Sequence, residues 1–425
     1  MKLKYGIDDR PKSKDLVLYS LQWFVLAIAV VTTSTFIATG SPAEQVLYAQ
    51  KVFALMGVAT IVQTLFGHRM PIVVGPAAVL LVGIITALAS QGENINPNKI
   101  YTSIAIGGVV ITLLSSGRWL ERLQYIFTPR TVVVILMLIA FTLCPTIKNL
   151  IFPAAESDRH LFGLLFTLLG IPAMALAATK LRGVVKSLVV PIALFVGCVI
   201  YYVVYGGFGK VFEQYSQSEG SILLPAVEFD GGMIVAFLLC YVALLINDIG
   251  SIQGLGAMLQ TPDTDKRCRR GVGITGIFNI VAGAMGVIGP VNYSMSPGVI
   301  GSSSCASRYA LIPAGVGLIV CALSPSLIAL FSAIPNIVIG VILLYLMGTQ
   351  LAASFHIMTD NKSADTFENG LIIGLPIMVA ILFTAVPMEV IPQILRPIMG
   401  NGFVMGTLTV MILEHIIFRK PTLKA

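Results

Sequence analysis

The sequence predicts an all-α polytopic membrane protein. Its fourteen transmembrane segments form a seven-plus-seven inverted repeat, with two short strands in the broken third and tenth segments. Three observations support this prediction. Apolar runs long enough to cross a bilayer recur from Leu16 to Phe418. Basic residues cluster in alternate loops, and Gly-Pro pairs interrupt two segments at matching places in the two halves.

The composition is typical of a chain that folds in lipid. Only 11% of the 425 residues are charged and 56% are hydrophobic, whereas soluble domains carry about 25% charged residues. The net charge of +7 fits basic residues on the cytoplasmic side of a membrane, so it does not indicate nucleic acid. The polar N-terminus is too charged for a cleaved signal peptide. Scattered cysteines and isolated histidines predict no disulfide frame, metal site or cofactor.

The hydrophobic segments divide the chain into candidate crossings. They cover residues 17–39, 47–66, 77–91, 100–116, 128–147, 160–179, 184–205, 232–259, 271–288, 298–303, 309–333, 336–356, 367–386 and 390–418. Two of them are unusual. The third is a short helix preceded by "MPIVVGP", and the tenth is the short end of "GPVNYSMSPGVIG".

The distribution of Lys and Arg tests this number of crossings. With the N-terminus inside and both unusual segments crossing, most of the 27 Lys and Arg residues fall inside, including the "KRCRR" cluster. If either unusual segment did not cross, that cluster or the early basic loops would change sides and the bias would blur. The pattern therefore predicts a multi-pass protein of the inner (plasma) membrane with both termini in the cytoplasm.

The broken segments predict a binding site. Each carries a Gly-Pro pair, Gly75-Pro76 in one and Gly289-Pro290 in the other. Irregular backbone at membrane depth survives only where it is buried in protein or lines a cavity. Paired interrupted segments at corresponding places in two halves indicate the ligand site of a transporter. The alternative is that both are kinked structural helices.

The eighth span holds Asp248, the one acidic residue well inside an apolar span. Such acids are costly in lipid, so we expect Asp248 to be protonated or hydrogen-bonded, either coupling protons or holding amides of a broken segment. A neighbouring stripe of small and polar residues, Asn247, Gly250, Ser251 and Gly254, faces a substrate or a broken segment, unless its two glycines serve helix packing. Polar span residues elsewhere, such as Gln63 and Asn279, are expected to form interhelical hydrogen bonds.

Several stretches resemble the nucleobase–ascorbate transporter family, and more closely its bacterial branch of purine and uracil–xanthine permeases. They run over nearly the whole chain: "SLQWF" (20–24), "FGHRMPIVVGPAAVL" (66–80), "LINDIGSI" (245–252), "NYSMSPGVIG" (292–301) and "LRPIMGNGFVMG" (395–406). The resemblance implies a core domain from residues 17–116 and 231–333 and a gate domain from 117–230 and 334–418. Residues 1–16 and 419–425 are then cytoplasmic tails. Members of the family commonly dimerise through the gate domain.

The resemblance also implies the substrate-binding residues. Asn247 occupies the place of the base-binding glutamate, and Ser251 that of a histidine linked to proton coupling in uracil symporters. The other residues at substrate-binding positions are Tyr293, Ser294, Met295, Ser296, Ala77 and Ala78. Both family carboxylates are missing, replaced by Asn247 and Met295, and Trp23 replaces the first-span histidine. Asparagine can still bind a nucleobase edge, since it offers a donor and an acceptor, and Asp248 stands one residue from the missing acid.

Two functions follow as hypotheses. The first is a proton-coupled importer of a nucleobase, a purine such as xanthine or urate, or uracil, whose core domain moves against the gate. The second is an anion transporter or exchanger, because the same architecture serves anion carriers and half-helix N-termini suit anions. An enzyme is not expected, since the sequence holds no P-loop, H-E-x-x-H motif or nucleophile elbow. We also expect a homodimer, with Gly402-xxx-Gly406 as a close-approach motif.

Overall fold

The computed structural model describes residues 3–38, 41–90, 96–117, 128–181, 188–216, 225–293, 296–392 and 395–418. Ser294 and Met295, which the resemblance places in the binding site, lie outside these ranges, as do most of the basic loop after residue 117 and the C-terminal tail.

The fold is a bundle of helices with one small antiparallel ladder. In chain order the helices are α1 (Ser13–Thr32), α2 (Pro42–Leu65), α3 (Ala78–Ser90), α4 (Pro97–Ser116), α5 (Pro129–Ile151), α6 (His160–Lys180), α7 (Val189–Tyr205), α8 (Phe208–Ser216), α9 (Gly231–Leu259), α10 (Thr264–Met285), α11 (Ser296–Ser303), α12 (Leu311–Leu323), α13 (Pro325–Ser332), α14 (Asn336–Asp360), α15 (Phe367–Thr384), α16 (Arg396–Met399) and α17 (Gly402–Ile412). A π-turn, Leu413–Ile417, continues α17.

Several helices begin with the same local signal, a polar cap followed by proline. Ser41 before α2 accepts a hydrogen bond from the Glu44 amide, and the Glu44 side chain accepts one from the Ser41 amide. Asn96, Thr128 and Ser324 cap α4, α5 and α13 in a related way, each followed by proline. Proline is favoured there because its missing N–H would find no partner inside the helix. These residues define where the helices start independently of hydrophobicity.

Within the described residues, eight helices are long and apolar enough to cross a membrane, or nine if one bent pair counts as a single span. The chain is therefore an integral membrane protein. Shorter apolar helices occur at Ala78–Leu88, Val189–Tyr205 and Gly402–Ile417. The fourteen crossings of the inverted repeat remain a prediction, since length and composition alone do not identify the shorter helices as spans.

Two predicted spans are not continuous helices. The predicted span 309–333 breaks between α12 and α13, where the chain bends by 94°, because Ser324 caps a new helix and Pro325 cannot continue the old one. The predicted span 390–418 contains the short helix α16 before α17 begins at Gly402. Asn401 marks this second start, since its side chain accepts a hydrogen bond from the Val404 amide.

The helices pack in two groups. In the first, α4 packs on α10 and α2 on α12, while α9 contacts α3, α4 and α10. In the second, α5 packs on α14, α15 and α17, and α14 also contacts α6 and α7. Contacts between α1 and α7, α3 and α5, and α9 and α17 join the groups.

The predicted pair of short strands is confirmed. Strand β1 (Val74–Pro76) lies antiparallel to β2 (Pro290–Asn292), with Gly75 opposite Val291. The Tyr293 amide donates to the Val73 carbonyl at 3.0 Å, and the Ala77 amide donates to the Gly289 carbonyl at 2.9 Å. The two broken segments thus satisfy each other's backbone groups inside the protein, as irregular backbone at membrane depth requires.

Candidate functional site

A cavity of about 530 Å³ lies where the two helix groups face each other beside the ladder. Its walls come from α1, β1, α3, α9 and β2 of the first group and from α5, α7 and α14 of the second. This volume falls in the range of about 300–1,000 Å³ that small-molecule sites occupy. The cavity is therefore the candidate ligand site.

Predicted residues form much of the first-group wall. Asn247, Gly250 and Ser251 line the cavity from α9, Ala78 lines it at the start of α3, and Tyr293 lines it just after β2. Gly254, the last member of the predicted stripe, is not among the described lining residues.

The side-chain amide of Asn247 is the polar group best placed to meet a ligand. It is half-buried in the cavity wall, and it forms no side-chain hydrogen bond with any residue that the structure describes. An uncommitted primary amide offers two donors and one acceptor oxygen. Asn247 can therefore bind a polar molecule edge-on without breaking an existing contact.

The glycines of the α9 stripe leave space open and do not pack helices together. A Cβ atom built on Gly250 or Gly254 meets no atom of a described residue within 4 Å. The helix-packing alternative for this pair is therefore wrong. At Gly250 the missing side chain leaves room in the cavity itself, since this glycine is part of the lining.

Two hydroxyl groups of the cavity wall already hold the ladder in place. The Ser251 hydroxyl lies 2.7 Å from the Asn247 carbonyl oxygen and 2.9 Å from the Asn292 carbonyl oxygen, so it can donate to either. The Tyr293 hydroxyl donates to the Pro76 carbonyl at 2.7 Å. A ligand can use these oxygens as acceptors, while their protons stabilise β1 and β2.

Two predicted binding residues do not line this cavity. Ala77 is buried, and its amide donates a hydrogen bond to the Gly289 carbonyl. Ser296 is also fully buried; its hydroxyl accepts a hydrogen bond from the Val73 amide at 3.1 Å and donates to the Tyr293 carbonyl at 3.2 Å. Both residues support the wall because they join one broken segment to the other.

Asp248 lies behind the wall. It is fully buried and absent from the described lining. Its Oδ1 atom accepts hydrogen bonds from the Asn292 backbone amide at 2.9 Å and from the Asn292 side-chain amide at 2.7 Å. The expectation that Asp248 is hydrogen-bonded is confirmed, and the amide that it holds belongs to a broken segment.

A histidine that sequence reasoning missed completes this arrangement. The Met70 amide donates to Nδ1 of His68 at 3.0 Å, so Nε2 carries the ring proton and donates to Oδ1 of Asn292 at 3.1 Å. This bond turns the amide nitrogen of Asn292 toward Asp248. The position of His68 in "FGHRMP", just before a broken segment, was the available signal.

Gln63 and Asn279 form the interhelical bonds that the sequence predicts. Gln63 of α2 donates from Nε2 to the Gly271 carbonyl at 2.8 Å, on α10. Asn279 of α10 accepts from the Tyr241 hydroxyl at 2.9 Å and donates to the Pro290 carbonyl at 3.0 Å. Asn279 thereby anchors the start of β2 to two helices.

The second-group wall contributes residues that the sequence did not single out. Tyr345, Thr349 and Gln350 of α14 line the cavity. Gln350 donates from Nε2 to the Leu136 carbonyl at 3.0 Å, which joins α14 to α5. None of the described residues that line the cavity carries a charged side chain. The described part of the site is thus polar at a few points, apolar elsewhere and without charged side chains.

Broken helices that meet in a buried ladder, with a cavity at their junction, define a membrane transport protein. The chain belongs to the permease family, the nucleobase–ascorbate transporter family of the sequence resemblance, whose family model matches residues 14–389. This confirms the resemblance, and it confirms a permease in place of an enzyme.

Named relatives and a solved structure agree with this assignment. The uric acid permease PucJ of Bacillus subtilis is 25% identical over 387 residues, covering 87% of this chain and 85% of that protein. The nucleobase transporter PlUacP of Paenibacillus larvae is 23% identical over 397 residues, covering 88% and 87%. The transmembrane domain of the cyanobacterium bicarbonate transporter BicA superposes with a TM-score of 0.63 at 14% identity, over 89% of this chain and 97% of that one. The last comparison shows a shared fold.

Proposed function

We propose that this protein is a secondary active transporter that imports a nucleobase, a purine such as xanthine or urate, or uracil. The observation that carries the proposal is the neutral cavity with the free Asn247 amide in its wall. The edge of a nucleobase presents donors and acceptors side by side, which a primary amide can pair. The apolar remainder of the wall suits the faces of a planar ring. The uric acid permease and nucleobase transporter among the relatives support the substrate class.

The alternative is an anion transporter or exchanger. A shared fold with a bicarbonate transporter and the half-helix N-termini of α3 and α11 favour it. The absence of a cationic side chain from the described cavity wall speaks against it, because a buried anion needs a compensating charge. Within the nucleobases, a wall without a described cation favours neutral bases over the urate anion.

The proposed architecture is the fourteen-span, seven-plus-seven inverted repeat. The protein would lie in the inner (plasma) membrane with both termini in the cytoplasm. Support comes from the packing. In a seven-plus-seven repeat the second span is equivalent to the ninth and the fourth span to the eleventh. The contact between α2 (second span) and α12 (eleventh) is then equivalent to the contact between α10 (ninth) and α4 (fourth), and both contacts are present. The first helix group corresponds to the core domain and the second to the gate domain. A cavity walled by both fits an elevator-like movement of one against the other.

We further propose proton symport, with Asp248 as the titrating group. As a carboxylate, Asp248 accepts two hydrogen bonds from Asn292 at the end of β2. Protonation would weaken both bonds, because the negative charge strengthens them. Proton occupancy would then be linked to the position of the strand beside the cavity. The competing role, in which Asp248 only holds β2, rests on the same contacts.

The deciding experiment is uptake into proteoliposomes that contain the purified protein. Labelled xanthine, uracil, urate and bicarbonate are offered with and without an inward proton gradient. The proposal expects concentrative uptake of a neutral base that collapses when the gradient is removed. Saturable bicarbonate uptake that nucleobases do not inhibit would instead establish the anion transporter.

A further inference from the structure

A second cavity, of about 520 Å³, shares no described lining residue with the candidate substrate site and differs from it in chemistry. It opens where the end of α4 meets the beginning of α10, beside Phe66 at the end of α2. Lys266, Arg269 and Arg270 line it, and no described lining residue is acidic. Three basic side chains thus line a cavity that opens at the surface of the helix bundle.

The three cations are available to a ligand. None of them forms a salt bridge with another described residue. Arg269 donates from Nη2 to the Ser116 carbonyl at 3.3 Å, which leaves most of its guanidinium donors uncommitted. The hydroxyl groups of Ser115 and Ser116 donate to carbonyls within their own helix. Any anion in the cavity would thus be held mainly by Lys266, Arg269 and Arg270.

The cavity is built into a rigid contact between two helices. A Cβ atom on Gly276 of α10 would lie 2.4 Å from the Thr112 hydroxyl oxygen of α4, and one on Gly108 would lie 2.6 Å from the Ile280 nitrogen. At Gly273, one turn closer to the cations, a Cβ atom would lie 2.8 Å from the Ser115 hydroxyl oxygen but within 4 Å of no described backbone atom of α4; Gly273 and Ser115 both line the cavity. The backbones of α4 and α10 are in contact at Gly108 and Gly276 and are further apart on the side of the cations. The cleft is therefore present without a ligand.

The apolar border of the cavity indicates what kind of anion it takes. Phe66 and Ile277 both line it and are largely exposed. Exposed Val281 follows Ile277 one turn further along the outer face of α10. The cations stand at the polar end of this strip, and the charge distribution predicts that end to face the cytoplasm. A soluble anion would use only the cations, whereas a phospholipid would use the cations and the apolar strip together.

We infer that this cleft binds the headgroup of an anionic phospholipid, with its phosphate among Lys266, Arg269 and Arg270 and its acyl chains along Phe66 and Ile277. Basic pockets between membrane helices on the cytoplasmic side are suited to such headgroups. Guanidinium groups favour phosphate because they can donate two parallel hydrogen bonds. The bound lipid would brace α4 against α10, the helix that anchors β2 through Asn279.

The test is lipid binding to the full-length protein, purified and delipidated in mild detergent. Native mass spectrometry measures the occupancy of phosphatidylglycerol and of phosphatidylcholine with the same acyl chains. The test variant is Lys266→Gln with Arg270→Gln, since neither side chain has a described partner. The matched control is Lys14→Gln with Lys362→Gln, two exposed lysines outside the cavity on the side predicted to be cytoplasmic. It removes the same charge.

We expect wild type and control to bind phosphatidylglycerol in preference to phosphatidylcholine. The test variant should bind it about 25-fold more weakly, since each of the two basic residues near an anionic lipid surface contributes about fivefold. The exchange variant Lys266→Arg with Arg270→Lys keeps both charges and should retain the lipid. Equal binding by the test variant and wild type would overturn the inference. So would equal binding of the two lipids, or displacement of the lipid by glycerol 3-phosphate, which would indicate a site for a soluble anion.

Discussion

Gly250 and Gly254 stand one turn apart on α9, and both face open space, but only Gly250 lines the candidate substrate cavity. We therefore expect Gly250→Leu to reduce nucleobase uptake to background and Gly254→Leu to leave it near the wild-type level. Both changes replace glycine by a good helix former, so effects on the helix itself are matched. Uptake into proteoliposomes checks the prediction, with thermal stability measured in parallel.

If Gly250→Leu takes up nucleobase near the wild-type level, as Gly254→Leu is expected to do, the substrate binds elsewhere. Ser251→Leu is a less clean test of the same site, although Ser251 also lines the cavity. Its hydroxyl contacts the Asn292 carbonyl, so a leucine there would disturb β2 as well as fill space. A loss of uptake in that variant would not distinguish blocking of the cavity from damage to the ladder.

The two roles of Asp248 separate in a pair of substitutions. Asp248→Asn keeps an acceptor oxygen for Asn292 but cannot titrate, whereas Asp248→Leu removes the acceptor and leaves buried amides unpaired. If Asp248 couples protons, the Asn variant should still bind substrate and exchange it between equal pools but lose gradient-driven accumulation. The Leu variant should lose stability under either role. Wild-type accumulation by the Asn variant would remove Asp248 from the coupling mechanism.

The residues of this site differ in how far sequence could predict them. Asn247, Gly250 and Ser251 were predictable because a polar stripe in an apolar span is a local pattern. Asp248 was expected to hold amides of a broken segment as one of two alternatives, but its partner Asn292 and the His68 bond to the same asparagine were not predictable, since these residues are far apart in the chain. Thr349 and Gln350 read as ordinary polar positions of a membrane helix until packing places α14 opposite α9.

At the scale of elements, the glycines of the two Gly-Pro pairs let each broken segment lie close to a neighbouring helix. A Cβ atom on Gly75 would come within 2.5 Å of Val30. One on Gly289 would come within 1.8 Å of the Asn279 side-chain oxygen. Asn279 cannot move aside freely, because it bonds Tyr241, Thr275 and Pro290. Glycine is thus required by the approach of a neighbouring side chain as well as by the break in the helix.

Gly289→Ala should destabilise the protein by about 1–3 kcal/mol, the usual cost of forcing extra atoms into a packed interior. Gly374→Ala is the control, since a Cβ atom there meets nothing within 4 Å and the residue lies inside α15. Thermal unfolding in detergent measures both. A fall in melting temperature for Gly289→Ala no larger than that of the control would contradict the requirement for glycine at this position.

Breaks in the elements were predicted where Gly-Pro pairs were recognised as helix breakers, and one was missed where a cap-and-proline signal was not. The two strands follow from helix breakers in an apolar context, and the ladder forms as expected. The 94° bend after α12 was missed because residues 309–333 were assigned as one span on their overall hydrophobicity. Ser324-Pro325, the same cap-and-proline signal that begins α2, was present in the sequence and would have identified the break.

At the scale of the whole molecule, the second helix group leaves a large apolar face uncovered. Only 11% of the apolar window in the helix Ser157–Lys180 is buried within one copy, against 44–61% for most of the other spans. Lipid or a second copy must cover this face. The Gly402-xxx-Gly406 motif, expected to serve a dimer, does not contribute: Gly402 packs against the Ala380 carbonyl and Gly406 against Leu138 within the same chain.

We therefore propose that the homodimer forms through the exposed face of α6, and cysteine cross-linking in native membranes tests it. Leu168 on α6 and Leu113 on α4 are similarly exposed, at 60% and 64%, but they belong to different helix groups. We expect Leu168→Cys to form disulfide-linked dimers and Leu113→Cys to remain monomeric, because a symmetric interface places a residue near the dimer axis opposite its own copy. Cys144, which is exposed, is first replaced by serine to remove background.

Cross-linking of both variants to the same extent would indicate random collision in the membrane. Cross-linking of Leu113→Cys alone would place the dimer interface on the first helix group. In an elevator-like transporter the domain that forms the dimer interface is expected to stay fixed. The first group would then be the fixed domain and the second group the moving one.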